Sequence, residues 1–207
     1  VMLKKYWVDI VSVIGVAAAY LLVEFILAPK VMLSAGVLLI GGLVLWRLGL
    51  PLDDLDSVAA RELTAAEGAA IEALIEKRIA TRQPAAYLTH EAWLQGVSFY
   101  VDERAIVPRS LIAEVIADGT LDAWLPSHTR RVLDLCTGNG SLAVLAALAW
   151  PEVSVDAADL SGNALAVARI NIDRHALADR ITLHQGDGLT AVANRRYDAI
   201  LCNPPYV

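Results

Sequence analysis

Only two cysteines and four histidines occur among the 207 residues, and acidic side chains outnumber basic ones by 23 to 17. Each shortage excludes something. Cys136 and Cys202 lie at the ends of apolar runs, which fits buried free thiols in a reducing compartment and excludes a scaffold built on disulfides. His90, His128, His175 and His184 show no ligand spacing, so no metal site is expected. A net charge of -6 excludes a binder whose affinity rests on neutralising phosphates, and a basic protein is the better partner. No small-residue cleavage site follows the first apolar run, which argues against a cleaved signal peptide.

Apolar residues are not scarce at the beginning. From Tyr6 to Leu27 the chain is almost wholly apolar, with Lys4, Lys5 and Lys30 at its flanks, and a second apolar run goes from Val31 to Trp46. About 20 apolar residues suffice to cross a bilayer. Residues 1–49 are therefore read as an apolar helical leader, either a membrane hairpin turning at Ala28-Pro29-Lys30, with membrane contact through residues 6–46, or a foreign or frame-shifted segment.

From Leu50 the composition is that of a soluble chain. Thr64-Ala-Ala-Glu67 has the capping-box form that starts a helix, and Ile71, Leu74, Ile75 and Ile79 keep helical spacing. Residues 50–84 form the helical N-terminal segment, stopped by Pro84. Residues 85–110 read as a β-hairpin linker: Tyr87-Leu88 and Ala92 to Leu94 as strand pieces, Gln95-Gly96 as a turn, Val97 to Val101 as the return strand. Trp93, Phe99 and Tyr100 are expected to pack rather than to touch substrate.

Residues 111–207 carry the clearest fold signal. A helix from Leu111 to Ile116 is followed by strand Arg131 to Cys136, helix Ser141 to Trp150, strand Val153 to Ala158, helix Gly162 to His175, strand Ile181 to His184 and strand Tyr197 to Cys202. Strands separated by helices imply right-handed crossovers and a parallel sheet of the α/β class. Two loops then open on one sheet edge, where open α/β sheets bind ligands. One is the glycine turn Asp134-Leu-Cys-Thr137-Gly138-Asn-Gly140. The other is Asn203-Pro204-Pro205-Tyr206, where two prolines stiffen the backbone, remove donors and present bare carbonyls beside the Asn203 amide. Such a loop suits a flat NH2 group, with Tyr206 covering its face.

Together these residues resemble the Rossmann-like class I methyltransferases that use S-adenosylmethionine and methylate amide or amino nitrogens. Pro84-Ala-Ala-Tyr-Leu-Thr, Glu91-Ala-Trp, Phe99-Tyr-Val-Asp-Glu-Arg and Val107-Pro108-Arg109-Ser110 resemble one branch, the protein-(glutamine-N5) methyltransferases, of the type acting on large-subunit ribosomal protein three. The resemblance runs from about Leu43 to Val207 and implies a sheet order of 3-2-1-4 for the four strands. It also implies a small helical domain whose final helix would be Leu43 to Pro51, a cytoplasmic location, and a ribosomal protein of the large subunit as partner without direct nucleic-acid binding. Through the leader, association with the inner membrane is the alternative.

The residues that would hold the cofactor are Asp134, Thr137, Gly138, Gly140, Asp159 and Asp187. Gly138 and Gly140 admit a ligand close to the backbone. Asp134 is placed for a cationic amino group, or else caps the turn; Asp159 for two ribose hydroxyls; Asp187 for the adenine amine. The same glycine spacing with Asp159 also satisfies a dinucleotide fingerprint, but an NAD enzyme has no use for Asn-Pro-Pro-Tyr. Asn203, Pro204 and Tyr206 are the expected catalytic residues, with Pro205 and Arg109 beside them at the substrate. Two other readings stay open. One is a DNA or RNA amino-group methyltransferase, because Asn-Pro-Pro-Tyr also serves flipped bases. The other is a truncated, membrane-tethered cofactor-binding fragment, because the methyltransferase sheet needs three more strands and the piece given is expected to turn over little. His90 stands where this branch usually has glycine, and Asn139 where serine is common.

Overall fold

The structure is a computed structural model that describes residues 41–50, 62–125 and 127–205. The apolar stretch from 6 to 40, residues 51–61 and Tyr206 lie outside the described residues. The chain divides into two compact units, 1–89 and 90–207.

In the first unit, residues 41–48 are helical, followed by α1 (Ala65–Thr81) and α2 (Ala85–Thr89). The capping box is present: Thr64 accepts from the Glu67 amide while the Glu67 carboxylate accepts from the Thr64 amide at 2.9 Å. Leu43, Ile71 and Ile75 form a small core, the outcome of the helical spacing. The helix ends before the proline, at Arg82, whose φ of 55 caps it in the left-handed region. Pro84 then opens α2, so Tyr87 and Leu88 are helical and not the strand their sequence suggested. With the Pro84 carbonyl accepting from the Tyr87 amide, the local turn wins over an apolar pair too short to pair as a strand. Among the described residues no helix is long and apolar enough to cross a membrane.

The second unit opens with the expected hairpin, β1 (Ala92–Leu94) and β2 (Val97–Phe99), turning at Gln95 and Gly96 with φ of 50 and 74. Two left-handed residues are what a two-residue hairpin turn requires. Phe99 is fully buried in the main core, as expected of packing, whereas Trp93 is exposed and donates its indole N–H to Glu91. His90 stands at φ 53, the region where its glycine counterpart would be unstrained, and its ring stacks on Tyr100 at 5.4 Å.

α3 (Leu111–Ala117), capped by Ser110, and a short 3-10 turn (Thr120–Ala123) lead to the parallel sheet: β3 (Arg131–Leu135), β4 (Ser154–Asp159), β5 (Ile181–Gln185) and β6 (Ala199–Cys202). Its order is β5-β4-β3-β6, which is the 3-2-1-4 arrangement expected of the class I methyltransferase fold. α4 (Ser141–Ala149) joins β3 to β4 and α5 (Gly162–Arg174) joins β4 to β5. Val132, Val155, Ala157 and Leu201 face the core that contains α4, while Leu133 and Ala158 face the other side of the sheet beside the 3-10 turn Gly188–Val192. β6 is the edge strand among the described residues, so Ile200 on that second face is 53% exposed.

Candidate active site at the sheet edge

Registers place the loops. Leu135 pairs with Ala158 on one side and Cys202 on the other, and Asp159 pairs with Gln185. The glycine turn, Asp159, the Gly186-Asp187 segment and Asn203 therefore leave the sheet at one edge within a residue or two of its last rungs.

The glycine turn is held in an unusual backbone. Cys136, Gly138 and Gly140 have φ of 61, 56 and 80. The Thr137 amide donates to the Ala158 carbonyl at 3.0 Å and the Gly140 amide to the Thr137 carbonyl at 2.9 Å. Where Gly138 would carry a Cβ there is open space, so a ligand can approach its backbone. Gly140 differs: an added Cβ would stand 3.0 Å from the Ala168 Cβ and 3.2 Å from its Cα. α5 thus presses on the turn. Gly140→Ala is expected to destabilise this unit by about 2–4 kcal/mol, from left-handed strain plus overpacking. Urea denaturation reads it, and a loss below about 1 kcal/mol would show that the turn yields.

Asp134 is 1% exposed beneath the turn. Its Oδ2 accepts from the Thr137 hydroxyl and, at 3.0 Å, from the Ala143 amide in the first turn of α4, while its Oδ1 has no hydrogen-bond partner among the described residues. Burial pushes this carboxyl up to about 7 against the downward pull of those two hydrogen bonds, and the nearby charge of Asp159 adds to the rise.

Asp159 is half-buried and already occupied by backbone: Oδ2 accepts from the Gly138 amide at 2.8 Å and Oδ1 from the Ser161 amide at 2.9 Å. Each oxygen keeps a second lone pair for a hydroxyl. Asp187 is exposed beyond β5, with its carbonyl accepting from the Thr190 amide and hydroxyl. Asn203 is half-buried and donates from Nδ2 to the Arg109 carbonyl at 2.9 Å, so two segments 94 residues apart meet here. The Arg109 side chain is exposed, as are Pro204 and Pro205.

Both cysteines are free. Cys202 is exposed, contrary to the buried position expected, because it shares with Ile200 the outward face of β6, the edge strand among the described residues. Cys136 is half-buried, and burial, followed by the closeness of Cys202 and Asp159, pushes its thiol up. Among the described residues no cluster suits a metal ion.

Two polar residues escaped the sequence reading. Asn171 is fully buried in α5 and bonds to both the hairpin exit and the glycine turn. Asp156, buried in β4, accepts from Arg131, His184, Arg195 and Tyr197. A signal for the first existed: Asn171 falls on the helical face of Ala164, Ala168 and Ile172, a place where a polar residue needs a partner.

Residues 117–207 match the family model described as methyltransferase small domain. Over 174 residues the chain is 51% identical to a protein of Burkholderia pseudomallei (strain K96243) named ribosomal protein uL3 glutamine methyltransferase, covering 80% of this chain and 56% of that one. A protein of the same name from Bordetella pertussis (strain Tohama I) is 50% identical over 167 residues, again with 80% and 56% covered. The chain thus spans little more than half the length of these relatives. Among solved structures, a METTL16 methyltransferase domain is 20% identical with a TM-score of 0.47, covering 60% of this chain and 55% of that chain.

Proposed function

Starting from the match of residues 117–207 to the methyltransferase small domain, we propose that the protein transfers a methyl group from S-adenosylmethionine to the side-chain nitrogen of a glutamine in a large-subunit ribosomal protein, in the cytoplasm. The named relatives supply the substrate. The observation that carries the chemistry is the Asn203 carboxamide, oriented by the Arg109 carbonyl and leaving β6 beside the glycine turn of β3.

Two features of the site fit the cofactor. There is open space over Gly138, and Asp134 Oδ1 is an unpartnered buried acceptor where a cationic amino group would find its counter-charge. Asp159 would take the ribose hydroxyls, Asp187 the adenine amine, with Thr137 and Gly140 shaping the turn. When bound, S-adenosylmethionine supplies an electrophilic methyl on a sulfonium centre.

This chain's own residues have the task of making an amide nitrogen nucleophilic. Its lone pair is delocalised into the carbonyl. Asn203 and the Pro204 carbonyl would accept the two N–H hydrogens and so orient the amide nitrogen for attack, with Pro205 keeping the loop stiff; Tyr206, outside the described residues, is the residue proposed to cover the amide face. Such positioning would supply several kcal/mol without a strong base, and the proton displaced from the nitrogen would pass to solvent, since an amide nitrogen carrying the added methyl is too acidic to keep it.

Asn203→Ala is expected to slow methyl transfer to isolated ribosomal protein by about 100-fold while leaving affinity for S-adenosylhomocysteine unchanged. Mass spectrometry of the product reads the first and calorimetry the second. Methyl groups appearing on nucleic-acid amines and on no glutamine would overturn the reading.

A further inference from the structure

Asn171 spends every hydrogen-bonding group of its side chain on backbone. Its Oδ1 accepts from the Tyr100 amide at 2.7 Å, and its Nδ2 donates to the Tyr100 carbonyl at 3.0 Å and to the Asn139 carbonyl at 2.8 Å. The residue is wholly inaccessible, surrounded on its helix face by Ala164, Val167, Ala168 and Ile172. A carboxamide buried without partners costs several kcal/mol. With these three bonds it is satisfied, and the two main-chain groups of Tyr100 are paired as if by a neighbouring strand.

The two segments joined are the ones that shape the edge site. Asn139 lies between Gly138 and Gly140 in the turn. Tyr100 is the residue after β2, and the chain from it runs through Asp102 to Arg109. That run is itself braced: Asp102 accepts from Arg104 and the Tyr100 hydroxyl, and those contacts, Arg104 first, hold its carboxyl at about 2. One helical turn before Asn171, Ala168 abuts Gly140.

We propose that Asn171 is a positioning residue. It fixes the glycine turn and the segment leading to Arg109 against one helix, so that cofactor affinity depends on its carboxamide although it touches no ligand. This rests on the cofactor reading above. Contact with a ligand is not required, because the Asn139 carbonyl sets the peptide plane between Asn139 and Gly140, and hence the turn.

Calorimetry with S-adenosylhomocysteine on the 207-residue chain, well below its melting temperature, tests it with Asn171→Ser and with Ile172→Ala, a core truncation on the same helix. Asn171→Ser is expected to weaken binding at least about tenfold, while Ile172→Ala, though destabilised, binds as the wild type does. If Asn171→Ser does not fold, amide exchange of Tyr100 in the wild type replaces it: the ligand is expected to slow that exchange about tenfold or more, and an unchanged rate overturns the proposal. Undisturbed binding by Asn171→Ser, or equal loss in Ile172→Ala, overturns the proposal alone. No binding by the wild type overturns the cofactor reading and this proposal with it.

Discussion

Asp156→Ala is expected to destabilise the sheet-containing unit by about 3 kcal/mol, the lower part of the range for breaking a buried ion pair. The carboxylate is 7% exposed in the middle of β4. It accepts from Arg131 of β3 at 3.0 Å, His184 of β5 at 2.7 Å, and Arg195 and Tyr197 ahead of β6 at 3.0 and 2.8 Å. One side chain thus connects strands or connections on both sides of its own. Burial alone would raise this carboxyl, yet the hydrogen bonds from His184, Tyr197 and Arg195 hold it below the ordinary carboxylate range. Burial, then the hydrogen bond to Asp156 and its charge, push the Tyr197 phenol up to about 12 against the opposing pull of Arg195 and Arg131. The loss is held to the lower end because the Arg131 and Arg195 side chains are 45% and 41% exposed and can return to water. Arg131 also keeps its place over the Tyr197 ring, 5.3 Å from the centroid. Equilibrium urea unfolding at neutral pH is the check, and a loss under about 1 kcal/mol would mean that the cluster adds little beyond surface pairing. A lowered folded value also gives a sign: the contribution is present above the unfolded carboxylate range and fades as pH falls through the folded value.

Asp134 has the opposite sign and a comparable size. Burial holds its folded value up at about 7 against the ordinary aspartate value of 3.8, so between those limits the folded chain keeps a proton that the unfolded chain has released. Stability then falls as pH rises through this window, by about 4 kcal/mol in all at roughly 1.4 kcal/mol per pKa unit. Asp134→Asn keeps an acceptor for the Thr137 hydroxyl and the Ala143 amide but cannot ionise. The variant is expected to lose this downward slope between about pH 4 and 7 and to exceed the wild type in stability at pH 8. A wild-type stability curve with no fall there beyond that of the variant would refute this. The same carboxylate links to function. If Oδ1 takes the amino group of the cofactor, binding favours the ionised form and releases about one proton near pH 6; calorimetry in two buffers of different ionisation enthalpy measures it. No release would mean that Asp134 serves only the turn. An ionisable residue retained at a cost in stability is what a ligand-binding role accounts for.

Much of this architecture was legible because it is local. A strand of apolar residues, a glycine turn and an amphipathic helix repeat within a few tens of residues, and right-handed crossover then leaves few sheet orders open. The capping box at Thr64 and the turn at Gln95-Gly96 depend on four or fewer neighbouring residues. Tyr87-Leu88 was misread for the converse reason: a pair of apolar residues has no period, and Pro84 at the start of a helix looks the same as Pro84 at the end of one.

Residue types and spacing by themselves determined the parallel α/β sheet and the edge from which Asp134, Asp159, Asp187 and Asn203 emerge, while its order was what the family resemblance implied. Tertiary structure alone decided what each of these side chains is bonded to. Asp134 lies under the turn with one oxygen unpartnered, Asp159 already accepts from two amides, and Asn203 meets an arginine carbonyl 94 residues away. It also decided that Asn171 and Asp156 matter. Their partners lie 25 to 71 residues away, with the Asn139 carbonyl at 32. The hydrogen-bonding directions of a buried carboxamide or carboxylate are satisfied by whichever backbone the fold brings near, and nothing in the neighbouring sequence records that choice.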